Sequence, residues 1–273
     1  MGKFDGILIC TDLDGTLYRN DKTISAENRE AIEYFKREGG YFTFITGRMP
    51  NYSMSAYRAV NPNVPFGCAN GGGVYDGATE KYIWQCEGLV GFEDLLACVD
   101  REIPTLGFQL SGFDHTYFAK ENQAMVEFRN ITRLPLIPCD YRAVREPIAK
   151  IVFAANCEEE VSAFEALFAS HPNSDWFDYI RSEKTLFEIM PKGVQKGLAL
   201  EHLVSYLGVD PQKTVGIGDF NNDVGLFHAA AVGIAVANAS PVAREAADFI
   251  TVSNEEHAIS KVISDIESGI YPL

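Results

Sequence analysis

The sequence predicts an α/β fold in which a separate α+β domain is inserted into a doubly wound parallel sheet. At both ends of the chain, short apolar runs alternate with helical patterns, and this alternation is typical of βαβ units. The middle of the chain carries strand-like and helical runs in a less regular order, with several prolines between them. We therefore predict a sheet domain at residues 1–82 and 188–273 and an inserted domain at residues 83–187.

The first part of the chain is predicted to contain three strands separated by two helices. The helix that begins at Ser25 has an acidic residue, Glu27, in its first turn, and Gly39 and Gly40 follow its end. In chain order, the predicted elements are the strand Ile7–Thr11, the helix Ser25–Arg37, the strand Tyr41–Ile45, the helix Tyr52–Val60 and the strand Phe66–Ala69.

The same alternation returns after the middle segment. Its predicted elements are the helix Val194–Leu207, the strands Thr214–Ile217, Val232–Val236 and Phe249–Val252, and a C-terminal helix. Within the middle segment, helical patterns lie near Phe92–Ile103, Glu121–Ile131 and Glu158–Ala169, and strand-like runs lie near Thr105–Leu110, His115–Phe118, Ile148–Ala154 and Lys184–Ile189. We expect the core of the inserted domain to contain Trp84, Trp176 and Phe177.

The composition is that of an ordinary globular protein, with 47% hydrophobic and 22% charged residues among 273. The formal net charge of -15 leaves no basic field, so neither nucleic acid nor an anionic membrane is an expected partner. No apolar stretch approaches about 20 residues and no leader pattern begins the chain, so we expect a soluble, cytoplasmic protein. Six cysteines without a Cys-x-x-Cys pair are expected to be free thiols. The oligomeric state stays open.

Two carboxylates, Asp12 and Asp14, directly follow the first predicted strand, with Gly15 after them. Buried carboxylates without partners cost several kcal/mol, so this pair is not a packing device. A calcium loop of the EF-hand type would need a glycine and a glutamate where Leu17 and Thr23 stand. Two hypotheses remain: a metal-holding pair of a sugar-nucleotide transferase, and an aspartate nucleophile for phosphoryl transfer with the second aspartate as acid and base.

The phosphoryl-transfer hypothesis requires positive charge beside these carboxylates. Two like unit charges about 4 Å apart repel by about 4 kcal/mol at an effective dielectric constant of about 20. A hard cation with oxygen ligands would suit Mg²⁺, for which Asp219 and Asp223 supply further carboxylates. Lys196 supplies a second cation, because it falls in the first turn of a predicted helix, where the helix dipole disfavours positive charge unless an anion lies nearby.

Polar residues follow four of the predicted strands. In open parallel sheets, ligands bind beyond the carboxyl ends of the strands. These ends carry Asp12 and Asp14, Thr46, Asn70, and Asp219. Polar strand ends alone explain one such residue well and all four positions poorly, so we predict a functional site at this edge of the sheet.

Four segments, taken in order, resemble the motifs of the haloacid dehalogenase superfamily of aspartate-nucleophile phosphohydrolases. They are Asp12–Thr16, Thr46-Gly47-Arg48, Lys196-Gly197 and Gly218–Asp223, and the resemblance covers almost the whole chain. It implies a Rossmann-like core with an inserted α+β cap domain. The insertion between the second and third motifs, together with Asn70-Gly71-Gly72 and Lys22–Ser25, is similar to the Cof-type branch of sugar-phosphate phosphatases.

The resemblance also implies roles for individual residues. Asp12 would be the nucleophile and Asp14 the general acid and then base, while Thr46 and Lys196 would bind the phosphoryl group. The implied Mg²⁺ residues are Asp12, Asp14 through its backbone carbonyl, Asp219 and Asp223. The implied substrate-binding residues are Thr46, Gly47, Arg48, Asn70, Gly71, Lys196 and Asn222. For Arg48, pairing with a carboxylate is an equally open interpretation.

The expected function is that of a Mg²⁺-dependent phosphatase acting on small phosphorylated metabolites, sugar phosphates above others, through an aspartyl phosphate. The cap would select the leaving group. A phosphomutase of related fold is one alternative, since it would return the phosphoryl group to a bound sugar. A non-catalytic phosphate-binding protein is another, although receiver domains of that kind lack the inserted cap and the acid at Asp14.

Overall fold

The computed structural model describes residues 2–181 and 184–273. The chain forms two compact units, one made by residues up to Gln85 and from Gln195 onward, the other by Cys86–Val194. The first unit is α/β and the second is α+β, so the predicted fold class is confirmed. The domain limits predicted at 82/83 and 187/188 stay a prediction.

The elements alternate along the chain much as the sequence indicates. The first seven are β1 (Leu8–Thr11), α1 (Ala26–Arg37), β2 (Tyr41–Phe44), α2 (Pro50–Val60), β3 (Phe66–Cys68), β4 (Gly73–Asp76) and β5 (Lys81–Gln85). The second unit contains α3 (Phe92–Glu102), β6 (Gly107–Gly112), β7 (Thr116–Lys120), α4 (Gln123–Thr132), β8 (Ile148–Ala154), α5 (Glu158–Ser170), β9 (Phe177–Arg181) and β10 (Leu186–Pro191). The remainder is α6 (Lys196–Leu207), β11 (Thr214–Gly218), α7 (Val224–Ala229), β12 (Val232–Ala235), α8 (Pro241–Ala246), β13 (Phe249–Ile250) and α9 (Ala258–Glu267).

The first unit is built on a parallel sheet with the strand order β13-β12-β11-β1-β2. Every residue of β1 and β11 is buried, as expected for central strands of a parallel sheet. The two strands pair in register, with Leu8 opposite Thr214 and Thr11 opposite Ile217. Because they run in the same direction and end at the same level, the residues that follow Thr11 and Gly218 meet at one edge of the sheet.

Helices cover both faces of this sheet. Side chains along β1 alternate between the two faces, so neighbouring residues of β1 pack on different helices. Ile9 packs in a cluster with buried residues of α1 and α9, among them Phe35. Leu8 and Cys10 pack with Leu200 and other buried residues of α6. The arrangement is the doubly wound one that the sequence predicts.

The second unit is built on an antiparallel sheet with the strand order β7-β6-β8-β10-β9. Buried residues of α3 and α5 pack with this sheet in a cluster rich in phenylalanine. Phe153 of β8 stacks on Phe187 of β10, with ring centroids 5.1 Å apart. The same two strands also carry a buried ion pair, in which Lys150 Nζ lies 2.8 Å from Glu188 Oε1.

The prediction for three aromatic residues is right for one of them. Phe177 is buried in the core of the second unit. Trp176 is 54% exposed, because the sheet core begins one residue later at β9. Trp84 belongs to the first unit, where it lies on β5 and stacks on His202 of α6 with ring centroids 3.7 Å apart.

Two expectations drawn from composition concern cysteines and membrane spans. All six cysteines are free, and Cys10 and Cys68 are buried in the first unit. Among residues 2–181 and 184–273, no helix is long and apolar enough to cross a membrane.

Candidate active site

Asp12 and Lys196 form an ion pair at the carboxyl edge of the parallel sheet. Asp12 N donates to Ile217 O over 2.8 Å, which continues the pairing of β1 with β11 by one residue. Lys196 is the first residue of α6, and its Nζ lies 2.5 Å from Asp12 Oδ1 and 2.6 Å from Asp223 Oδ1. The ammonium at this helix start is therefore balanced by two anions, although the lysine is only 1% exposed.

Asp223 is the buried anchor of this arrangement. Its Oδ1 accepts from Lys196, and its Oδ2 accepts from the backbone N–H groups of Asp219 and Phe220, each over 2.9 Å. A Cβ on Gly218 would lie 2.3 Å from Asp223 Cγ, so this close approach requires glycine. Asp223 thus joins the turn after β11 to the lysine.

Asp219 lies opposite the loop that follows β1. Thr16, which is fully buried, donates its hydroxyl to Asp219 Oδ1 over 2.8 Å. Gly15 has a φ of +81°, and a Cβ there would lie 2.4 Å from Asp219 Oδ2. Glycine and threonine in the Asp12–Thr16 segment therefore hold the second carboxylate of the site in place.

Three carboxylates converge here, because oxygen atoms of Asp12, Asp219 and Asp223 all lie within 4.8 Å of one another. Burial raises the pKa of Asp219 to about 6, and the neighbouring Asp223 adds to the effect. Burial also raises the pKa of Asp12, with Lys196 opposing the shift. One ammonium does not balance three carboxylates, and hard oxygen ligands are those that Mg²⁺ prefers, so the residues fit a bound Mg²⁺.

The Asp14 side chain points to cations instead of to this cluster. Arg48 Nη2 lies 2.6 Å from Asp14 Oδ2, and Lys22 Nζ lies 3.0 Å from Asp14 Oδ1. Burial favours a higher pKa, but Arg48 and Lys22 outweigh it and hold the pKa of Asp14 below its usual value. Arg48 thus pairs with a carboxylate, and its guanidinium also lies 4.7 Å from the ring centroid of Tyr52. The predicted use of the Asp14 carbonyl by a metal stays a prediction.

The remaining predicted site residues follow β2 and β3, except Asn222, which follows β11 and reaches them. Asn70 N donates to Thr46 O over 3.0 Å, and Asn222 Nδ2 donates to Asn70 Oδ1 over 3.0 Å. A Cβ on Gly47 would lie 2.8 Å from Asn70 Oδ1, and the N–H of Arg48 donates to Thr46 Oγ1 over 3.3 Å. The second predicted motif, Thr46-Gly47-Arg48, therefore lies next to Asn70, and Asn70 in turn contacts Asn222 of the fourth motif.

Gly71 supports this region through the backbone alone. Its φ is +99°, and a Cβ there would lie 1.9 Å from the carbonyl oxygen of Gln195, the residue before α6. Only glycine allows the strand end and the start of α6 to approach so closely. Its predicted contact with substrate stays a prediction.

The site and the loop after β1 are also contacted by residues without a role in the sequence prediction, among them Thr16, Lys22, Asn238 and Asn254. Thr16 and Lys22 hold Asp219 and Asp14, and both lie in segments that the sequence already marks, Asp12–Thr16 and Lys22–Ser25. The other two come from the far end of the chain and donate to the same loop, Asn238 to Gly15 O and Asn254 to Tyr18 O. Single asparagines are common in loops, so no sequence signal distinguishes Asn254.

Comparisons with known proteins agree with the fold and the site. A sequence model of the haloacid dehalogenase-like hydrolase family matches residues 9–263. The Bacillus subtilis protein named 5-amino-6-(5-phospho-D-ribitylamino)uracil phosphatase YwtE is 29% identical over 288 aligned residues, which cover 96% of this chain and 99% of that protein.

Two solved structures share the fold. A haloacid dehalogenase-like hydrolase from Bacteroides thetaiotaomicron superposes with a TM-score of 0.82 at 21% identity, covering 95% of this chain and 99% of that one. The HAD subclass IIB sugar phosphatase BT4131 superposes with a TM-score of 0.80 at 22% identity, covering 97% of this chain and 100% of that one. The chain belongs to the haloacid dehalogenase-like hydrolases, as a phosphatase of their Cof-type branch.

Proposed function

We propose that this phosphatase hydrolyses small phosphorylated metabolites, with sugar phosphates as the main class, and that it requires Mg²⁺. One observation carries the proposal: the Asp12 carboxylate stands at the end of a central strand, paired with Lys196 and beside two further carboxylates, while Asp14 follows two residues later between two cations. A nucleophile, a phosphate-binding cation, a metal site and an acid are thus available within one sheet edge.

In the proposed first step, an oxygen of Asp12 attacks phosphorus and the bond from phosphorus to the ester oxygen breaks. The leaving oxygen keeps the electron pair and takes a proton from Asp14. In the second step, Asp14 removes a proton from water, the water oxygen attacks phosphorus, and the aspartyl phosphate breaks to return Asp12 as a carboxylate. Inorganic phosphate is released, and Asp14 is again protonated.

Charge is the main difficulty of both steps. Lys196 would hold a phosphoryl oxygen while keeping Asp12 ionised and pointed at phosphorus. When bound by Asp12, Asp219 and Asp223, Mg²⁺ would supply further positive charge beside the transferring group. Asp14 is ionised in the free protein, since Arg48 and Lys22 lower its pKa, and the negative charge of an arriving phosphate favours the protonated form that the first step needs.

The substrate class is supported by the relatives. The name of YwtE specifies a phosphate ester on a ribityl chain, and BT4131 is named a sugar phosphatase. Both names describe a phosphate carried by a small polyhydroxylated group. The proposed contacts to the substrate are those of Thr46, Gly47, Arg48, Asn70, Gly71, Lys196 and Asn222.

The test is inorganic phosphate release from a panel of sugar phosphates, nucleotides and an aryl phosphate, with and without Mg²⁺. We expect metal-dependent turnover that disappears in Asp12→Asn and persists in Asp94→Asn, which makes the same change at an exposed position on α3. Wild type that is as inert as Asp12→Asn across the panel would refute the proposal. Conversion of one sugar monophosphate into its isomer without phosphate release would favour a mutase instead.

A further inference from the structure

The loop that carries Asp14 is tied to two asparagines from the far end of the chain. We call residues 14–23 the acid loop. Asn238 Nδ2 donates to Gly15 O over 2.8 Å, and Asn254 Nδ2 donates to Tyr18 O over 3.0 Å. The two asparagines are also joined to each other, because Asn254 N donates to Asn238 Oδ1 over 2.9 Å. They form one continuous hydrogen-bonded link beside the acid loop.

The two members of this link differ in burial. Asn254 is 3% exposed, and its Nδ2 also lies 3.2 Å from Asn20 Oδ1. A buried amide that loses its partner is not compensated by water, whereas an exposed one is. Asn238 is exposed, so water can replace its bond to Gly15. The larger effect on the acid loop is therefore expected from Asn254.

The contacts of Asn254 and its neighbour hold residues 18–20 of the acid loop. Within the loop, Arg19 N donates to Thr23 O over 2.9 Å, which turns the chain so that Lys22 Nζ reaches Asp14. Glu255, next to Asn254, accepts from Asn20 N over 2.7 Å and from Arg19 Nε over 3.1 Å. A movement of residues 18–20 would therefore displace the acid and its neighbouring cation together.

We propose that Asn254, assisted by Asn238, is a positioning residue for Asp14. Resting on the proposed function, this inference assigns the pair the task of holding the acid loop so that Asp14 can protonate the leaving oxygen. Neither asparagine touches the reacting atoms. A displacement of about 1 Å in such a group can cost about 100-fold in rate, so a remote tie can matter.

The test exploits the need of the leaving group for a proton. An alkoxide is a poor leaving group and requires the acid, whereas a nitrophenolate leaves without one. The ratio of kcat/KM for a sugar phosphate to kcat/KM for p-nitrophenyl phosphate therefore reports the acid, because kcat/KM covers only the steps up to leaving-group release. We expect this ratio to fall about tenfold in Asn254→Leu, less in Asn238→Ala, and more in Asp14→Asn.

The control is Asn28→Leu. Asn28 is fully buried and its Oδ1 accepts from Ser260 N over 3.0 Å, so it joins α1 to α9 without contacting the acid loop. It should lower stability and leave the ratio unchanged. Because Asn238 is exposed, Asn238→Ala provides a folded variant even if Asn254→Leu is unstable.

The outcomes separate this inference from the proposed function. A ratio that falls in Asp14→Asn and stays at the wild-type value in both asparagine variants would overturn the positioning role alone. An inactive wild type, or an unchanged ratio in Asp14→Asn, would overturn the proposed function and the inference with it. If kcat/KM fell by the same factor for both substrates in the asparagine variants, the two asparagines would have a purely structural role and the inference would be overturned.

Discussion

Lys196 carries its charge in a place that is only 1% exposed, between the carboxylates of Asp12 and Asp223. Burying a charge is costly unless partners compensate it, and here each partner in turn depends on the lysine. In the proposed mechanism, the same ammonium that keeps the two carboxylates together also binds a phosphoryl oxygen. Stability and the proposed chemistry therefore depend on one side chain.

Replacing Lys196 by Met would leave two buried carboxylates facing each other. We expect turnover to fall below detection and the free energy of unfolding, measured by urea denaturation, to fall by about 3–5 kcal/mol. Lys192→Met is the matched control, because its lysine is 62% exposed and pairs with Asp178 at the surface. There a loss of about 0–1 kcal/mol is expected. Equal losses in the two variants would contradict the buried-charge argument.

Thr16 acts on the proposed metal site through Asp219. Thr16→Val keeps the shape of the side chain and removes the hydroxyl that donates to Asp219 Oδ1. Loss of such a supporting bond typically weakens metal affinity about 10-fold to 100-fold, so the Mg²⁺ concentration for half-maximal activity should rise by that factor. Thr43 lies on β2, and its buried hydroxyl donates to Pro65 O; Thr43→Val removes that bond and should leave the Mg²⁺ concentration for half-maximal activity unchanged. A matching rise in both variants would argue against the role of Thr16.

At the scale of elements, the sequence predicts strands with a continuous apolar run well and misses strands whose apolar run is interrupted. β1, β2, β8 and β11 are apolar runs of the right length, and each was expected within a few residues of its position. β4, β5 and β9 are not predicted, because partly exposed positions interrupt their apolar pattern. None of these runs alternates strictly between apolar and polar residues, which is the pattern that indicates a half-buried strand.

The residues of the candidate site also differ in how well the sequence predicts their contacts. Asp12 and Asp219 could be expected to meet, because each follows a strand of one parallel sheet. Lys196 could be expected beside an anion from its place at a helix start. The partners of Asp14, by contrast, depend on how the acid loop turns in three dimensions, and neither Lys22 nor Asn254 has a spacing that reveals it.

The packing of α6 on β5 predicts a pH dependence of stability. His202 of α6 stacks on Trp84, and burial lowers the pKa of its imidazole below the usual 6.5. The unfolded chain therefore binds more protons below that pH, and stability is lost as pH falls through 6.5. His202→Phe keeps a ring on Trp84 and cannot take up a proton.

This variant should gain stability relative to wild type as the pH is lowered from about 7.5 to about 5, as measured by denaturation at both values. His228→Phe alters an exposed histidine on α7 and should show the same difference from wild type at both pH values. If His202→Phe behaved as the control does, the stacked histidine would have no part in acid sensitivity.

At the scale of the whole molecule, the chain is divided between one discontinuous unit and one continuous unit. Cys86–Val194 has its own sheet and its own buried cluster, which are the requirements for independent folding. We expect this fragment, expressed alone, to unfold in one cooperative transition followed by circular dichroism. The transition should be lost in Phe153→Ala, since removing a fully buried phenylalanine costs about 3–5 kcal/mol. A fragment that unfolds gradually would show that it needs the rest of the chain.

The pairing of β1 with β11 sets an order of events during synthesis. A ribosome releases β1 and β2 first, then the whole of Cys86–Val194, and only afterwards the strand that completes the centre of the parallel sheet. The continuous unit can fold on the nascent chain, whereas the backbone N–H and C=O groups on one edge of β1 stay unpaired until β11 is made. Asp12 meets Lys196 and Asp223 only after Cys86–Val194 has been synthesised. The side chains of the proposed active site therefore come together late. Until then the unpaired edge of β1 is prone to aggregation and can be bound by chaperones.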